Sequence, residues 1–119
     1  MKLLLRISAN ATADSLRRVA PRLSQIRNDF DQYKPSGPDY EAIEISISTA
    51  FSGDSARASA KDGIIKVSCG LDFYGDLSPA GDDEFFRFIL GKIQDSITAS
   101  PLAVQDRESY LSFVRRCEA

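Results

Sequence analysis

The chain has 119 residues, of which 43% are hydrophobic and 27% are charged, a composition typical of one globular domain that spans residues 1–119. It contains no histidine, which excludes a Ser-His-Asp triad, a Cys-His pair and any metal site built on histidine. The net charge of −2 argues against nucleic acid or an anionic membrane as the main partner. Two cysteines are too few for a disulfide scaffold.

The start of the chain does not resemble a secretory leader. Its apolar run of three leucines ends at Arg6, well short of the apolar core of a signal peptide. No stretch approaches the ~20 apolar residues that a membrane span requires. We therefore expect a cytoplasmic protein that does not associate with a membrane and whose cysteines are reduced.

The first predicted elements are a strand over residues 3–8 and a helix. Apolar residues recur at spacings of three and four from Leu16 to Tyr33, the pattern of one helix face, and Thr12 or Asp14 can cap its start. Pro21 lies inside this pattern without breaking its phase, which indicates either a kinked helix or a second helix that begins at Pro21. Two prolines and a glycine within residues 34–38 then end the helix.

Three strands are predicted in the middle of the chain. Apolar and polar residues alternate over residues 43–51, and Asp62-Gly63 is a strong hairpin signal. A second turn at Gly53-Asp54 would place Ile47 opposite Ala60, and the two turns put the same residues on one face, so we predict an antiparallel three-strand meander. The opposite face is polar and is expected to be solvated; it carries Glu44, Ser46, Ser48, Arg57, Ser59, Lys61, Lys66 and Ser68.

Two further helices complete the prediction. Acidic residues at 82–84 suit the start of a helix whose apolar stripe runs from Phe85 to Ile97, and Ser100-Pro101 ends it. A last helix is predicted over residues 106–117. The order β-α-β-β-β-α-α predicts an α+β domain, with a mostly antiparallel sheet and with helices packed on one face.

The sequence offers little catalytic chemistry. Carboxylates at Asp72, Asp76 and residues 82–84 could act as an acid–base pair or bind a divalent cation, but their spacing matches no calcium loop, and a solvated loop followed by a helix start explains them. Cys69 and Cys117 fall on apolar faces, where a cysteine is a small core residue. We therefore predict no catalytic residue, no metal site and no cofactor, and we expect that the protein is not an enzyme.

Two stretches combine acidic residues with aromatic rings. Residues 62–84 hold six acidic side chains against one lysine, and residues 29–44 hold five against one lysine. Acidic groups beside tyrosines are typical of a surface that binds a basic protein, although acidic loops that only aid solubility are an alternative. Arginines on the first helix are expected to form a solvated face paired with the acidic loops. The predicted contact residues are Asp72, Tyr74, Asp76, Asp82, Asp83 and Glu84, with Tyr40 and Glu41 as a second group.

In size, composition and layout the whole chain resembles the immunity proteins of bacterial toxin–immunity pairs, as in contact-dependent inhibition. The resemblance rests on no diagnostic motif and assigns no individual residue. It implies a cognate toxin domain as the partner, in many such pairs a nuclease with a basic cleft. Two other classes stay open: a secretion or assembly chaperone, which should show an apolar groove or a dimer interface, and a small carboxylate-based enzyme or ligand-binding domain, which should show an enclosed pocket.

Overall fold

The structure, a computed structural model, describes residues 1–8, 13–35, 40–48, 56–70 and 82–117. Its elements confirm the predicted order and the α+β class. They are β1 Lys2–Ser8, α1 Ala13–Gln32, β2 Ala42–Ser48, β3 Arg57–Lys61, β4 Ile64–Gly70, α2 Asp82–Ala99 and α3 Val104–Arg116.

The three helices form where apolar residues recur with helical spacing. α1 is a single helix of 20 residues with Pro21 inside it, so the chain does not begin a second helix at the proline. Its buried stripe comprises Val19, Leu23, Ile26 and Phe30. α2 ends just before Ser100-Pro101, as predicted, because a proline disfavours the helical conformation of the residue that precedes it.

The sheet is mixed, so the prediction of a mostly antiparallel sheet was wrong. The strand order is β1-β2-β4-β3. β2 pairs in parallel with β1 on one side and with β4 on the other, whereas β3 and β4 pair antiparallel. β1, α1 and β2 thus form a parallel strand–helix–strand unit, in which the helix supplies the long crossover that parallel pairing needs.

The three-strand meander was also wrong, because among the described strands β3 lies at the sheet edge and pairs only with β4. Ile47 pairs with Ile7 and Cys69, not with Ala60. A central position buries more apolar surface on β2 than it would on β3. The isoleucines of β2 are buried on the core face, whereas β3 has only alanines to bury. The Gly53-Asp54 turn lies outside the described residues.

The hairpin between β3 and β4 forms as predicted. Asp62 and Gly63 have φ values of 54° and 77°, and two positive φ angles are what the favoured two-residue hairpin turn requires. The predicted pairs also form, with Ala60 opposite Ile65 and Ala58 opposite Val67.

The helices cover one face of the sheet. Core side chains project from alternate positions of the strands and meet the apolar stripes of all three helices; the largest that are fully buried include Phe30, Phe85, Phe86, Ile43, Ile45, Ile65 and Tyr110. The register places all eight of the predicted polar residues on the opposite face. None of the described helices combines the length and apolar character needed to cross a membrane.

Candidate binding surface

The structure describes half of the predicted contact residues. Asp72, Tyr74 and Asp76 lie outside the described residues, as does the side chain of Asp82. The remaining four fall into two places, with Asp83 and Glu84 in the first turn of α2, and Tyr40 and Glu41 just before β2.

The acidic start of α2 is held against the middle of α1. Arg22 donates a hydrogen bond from Nη1 to Oδ1 of Asp83 over 2.8 Å, and the two side chains remain 43% and 72% exposed. The guanidinium of Arg22 also lies over the ring of Phe86, with its Cζ 3.8 Å from the ring centre. Arg22 is therefore fixed by two contacts, and it in turn fixes an exposed carboxylate at the helix N-terminus, where negative charge is favourable.

An open groove lies beside this ion pair, where α1, α2 and the end of α3 meet. We call it the helix groove; its volume is about 420 Å³, and it is lined by Arg22, Gln25, Asp29, Phe86, Arg116 and Cys117. Arg116 lies over the ring of Phe113 at 5.1 Å. Arginine is enriched at protein–protein interfaces, and the exposed Arg22 and Arg116 give the groove such a lining, whereas Phe86 is buried.

Neither cysteine has the environment of a nucleophile. Burial raises the pKa of the Cys117 thiol, and the nearby charge of Asp29 raises it further. Burial also raises the pKa of the Cys69 thiol, which lies 3.1 Å from the Ser96 hydroxyl. Because the thiolate is the reactive form, both side chains stay largely unreactive near neutral pH.

Tyr40 and Glu41 line a different groove, at the edge of the sheet where the parallel strands begin. The Glu41 carbonyl accepts a hydrogen bond from the Lys2 amide, its amide donates to the Gly63 carbonyl, and half-buried Tyr40 packs against the core. Asp31, which also lines this groove, is nine residues from Arg22 on α1, about 14 Å along the axis. The described members of the two predicted groups therefore lie in separate places.

A buried polar cluster joins α3 to the end of α1. The Tyr33 hydroxyl donates to Oδ1 of Asp106 over 3.1 Å, and the Tyr110 hydroxyl donates to the Tyr33 carbonyl over 3.3 Å. Asp106 is fully buried in the first turn of α3, where the helix N-terminus favours a carboxylate. Burial, the neighbouring Asp106 charge and Tyr33 raise the pKa of Tyr110. Because the two hydrogen bonds hold the end of α1 against α3, the cluster has a structural role.

Sequence reasoning missed several residues of the helix groove. Phe86 was predicted only as part of an apolar helix stripe, because nothing in the local sequence brings it or Arg116 to Arg22. The expected pairing of basic α1 with acidic residues does occur at Arg22, while Arg17 pairs with Asp14 of its own helix. Across the described part of the chain, no three cysteine, aspartate or glutamate side chains are grouped to hold a metal ion.

No protein-family model, curated protein or solved structure matches this chain.

Proposed function

We propose that the chain is a protein-binding inhibitor, an immunity protein that binds and neutralises a cognate bacterial toxin domain, and not an enzyme. The observation that carries this proposal is the arrangement at the start of α2. There Arg22 pairs with the exposed carboxylate of Asp83, exposed Glu84 follows Asp83 in the sequence, and Arg22 also lines the helix groove.

A carboxylate that is already fixed loses little conformational freedom when a partner binds, so more of its interaction energy contributes to affinity. Arg22 donates one hydrogen bond to Asp83, and a carboxylate can accept several more, which leaves capacity for a lysine or arginine of a basic toxin surface. The acidic, aromatic residues Asp72, Tyr74 and Asp76 precede α2 in the sequence and extend the same proposed contact. The proposal keeps Tyr40 and Glu41 as a second, separate contact.

The test begins with the gene immediately upstream, which should encode a toxin-bearing protein. Its toxin domain, expressed alone, should arrest growth, and co-expression of this chain should restore growth. In calorimetric titrations of the purified pair, we expect Asp83→Lys and Glu84→Lys each to weaken binding at least tenfold.

Asp95→Lys is the matched control. It makes the same charge reversal at an exposed position of the same helix, about 17 Å along the axis from Glu84, and should leave the affinity unchanged. An upstream gene for a metabolic enzyme, or failure of the chain to bind the toxin domain, would overturn the proposed function. Equal losses of affinity in all three variants would contradict the placement of the contact at the start of α2.

A further inference from the structure

The outer face of the sheet lies away from the helices. Its residues come from four strands, and the strand order places them on one surface. Parallel and antiparallel registers place Arg6, Ser46, Ser68 and Arg57 in one row across the four strands. The next row toward the amino ends of the parallel strands is Leu4, Glu44, Lys66 and Ser59, and the row after that is Lys2, Ala42, Ile64 and Lys61.

Long basic side chains stand on the two edge strands of this face. Lys2 and Arg6 lie on β1, and Arg57 and Lys61 lie on β3, and all four are exposed. Between them the two central strands carry Ser46, Ser68 and Ala42 together with the longer side chains of Glu44, Lys66 and Ile64. We call this surface the basic trough; β1 and β3 form its two sides, and β2 and β4 lie between them.

The basic trough has a strong local charge in a chain whose net charge is negative. It holds five basic side chains and one acidic side chain, Glu44, which is paired with Arg6 at 3.2 Å. The described residues of this face therefore carry a net positive charge, which attracts an acidic ligand.

The dimensions of the trough suit a helix. Neighbouring strands lie ~4.8 Å apart, so the backbones of Arg6 and Arg57, three strands apart, are about 14 Å apart. An α-helix with its side chains is ≈ 10–12 Å across, so its width is covered by this face from one edge strand to the other. No aromatic side chain occurs in the three rows, so the trough lacks the rings on which single-stranded bases stack.

We propose that the basic trough binds an acidic α-helix of a partner protein. Carboxylates on one side of the helix pair with Arg57 and Lys61, and those on the other side pair with Lys2 and Arg6. Leu4, which is 43% exposed on β1, provides an apolar contact at that side. This surface lies on the face of the sheet away from the helix groove, so it does not depend on the function proposed above.

The test uses the full chain and a synthetic helical peptide that carries glutamates along two sides of the helix on an alanine background. Titrated into ¹⁵N-labelled protein, the peptide should shift the amide signals of Ser46, Ser68 and Ser59, with a dissociation constant in the micromolar range. The double variant Arg57→Glu/Lys61→Glu should weaken binding at least tenfold.

Arg27→Glu/Arg115→Glu is the matched control, because it makes the same change in net charge at exposed positions of the helical layer, and it should bind within twofold of the unchanged protein. The neutral variant Arg57→Gln/Lys61→Gln serves if the charge reversals unfold β3. Equal losses in both double variants, equal binding of a proline-containing peptide of the same charge, or tighter binding of a DNA duplex would each overturn the proposal, as would shifts confined to the helices.

Discussion

Replacing Tyr110 with phenylalanine removes one hydrogen bond and one ionisable group from the core. The ring is fully buried and stacks on Phe30 with the centroids 4.5 Å apart, and phenylalanine preserves both features. The lost bond is the one to the Tyr33 carbonyl, which still accepts a bond from the Met1 amino group at 2.8 Å. We therefore expect Tyr110→Phe to cost about 1 kcal/mol of unfolding free energy at pH 7, which is about 4 °C in Tm for a domain of this size.

The cost should vanish at high pH. Burial, with smaller contributions from Asp106 and Tyr33, raises the pKa of Tyr110 above its ordinary value of 10.0. Above pH 10 the unfolded chain therefore loses the phenolic proton while the folded chain keeps it, and the folded state loses about 1.4 kcal/mol per pH unit from this group. Phenylalanine has no such proton, so the two proteins should be equally stable near pH 11.

Urea denaturation of both proteins at steps from pH 7 to pH 11 measures this difference, because every other titrating group is common to both. Phe113→Leu is the control, since Phe113 belongs to the same aromatic cluster and neither side chain ionises, so its deficit should not change with pH. A Tyr110→Phe deficit that stays constant to pH 11 would refute the reasoning.

Two further predictions concern the core. Ile45→Ala, at a fully buried position of the central strand, should cost about 2–5 kcal/mol by urea denaturation, whereas Leu4→Ala on the outer face should cost no more than about 0.5 kcal/mol; similar costs would contradict the assigned faces. Iodoacetamide at pH 8 should alkylate half-buried Cys117 before buried Cys69, as followed by peptide mass spectrometry, and the reverse order would contradict the burial of Cys69 beside Ser96.

The sequence predicted the faces of the strands and the pairing of β3 with β4 correctly, and the neighbours of β2 incorrectly. Alternation reports only which side of a sheet a residue faces, and Ile47 and Ala60 share the core face both in the meander and in the actual order. The choice of neighbours depends on β1, which pairs with β2 in parallel after the chain crosses back through α1. The strand–helix–strand order of β1, α1 and β2 was the available signal for parallel pairing.

The candidate sites also depend on contacts that local sequence patterns do not reveal. The acidic start of α2 followed from Asp83 and Glu84 alone, because carboxylates favour a helix N-terminus. The contact with Arg22 spans 61 residues of sequence, and no local pattern reports it. The basic trough likewise requires Lys2 and Arg6 to share a face with Arg57, which depends on the full strand order.

The central position of β2 also affects how the chain folds. Its partners lie far away in sequence, since Ala42 pairs with Lys2, 40 residues earlier, and with Ile64, 22 residues later. The β3–β4 hairpin, closed by two residues, can form on the microsecond scale, but the sheet is complete only when that hairpin docks on β2 through β4. During synthesis, one edge of an isoleucine-rich strand therefore stays without its neighbour until β4 has emerged, and folding should be slower than that of a meander of the same length.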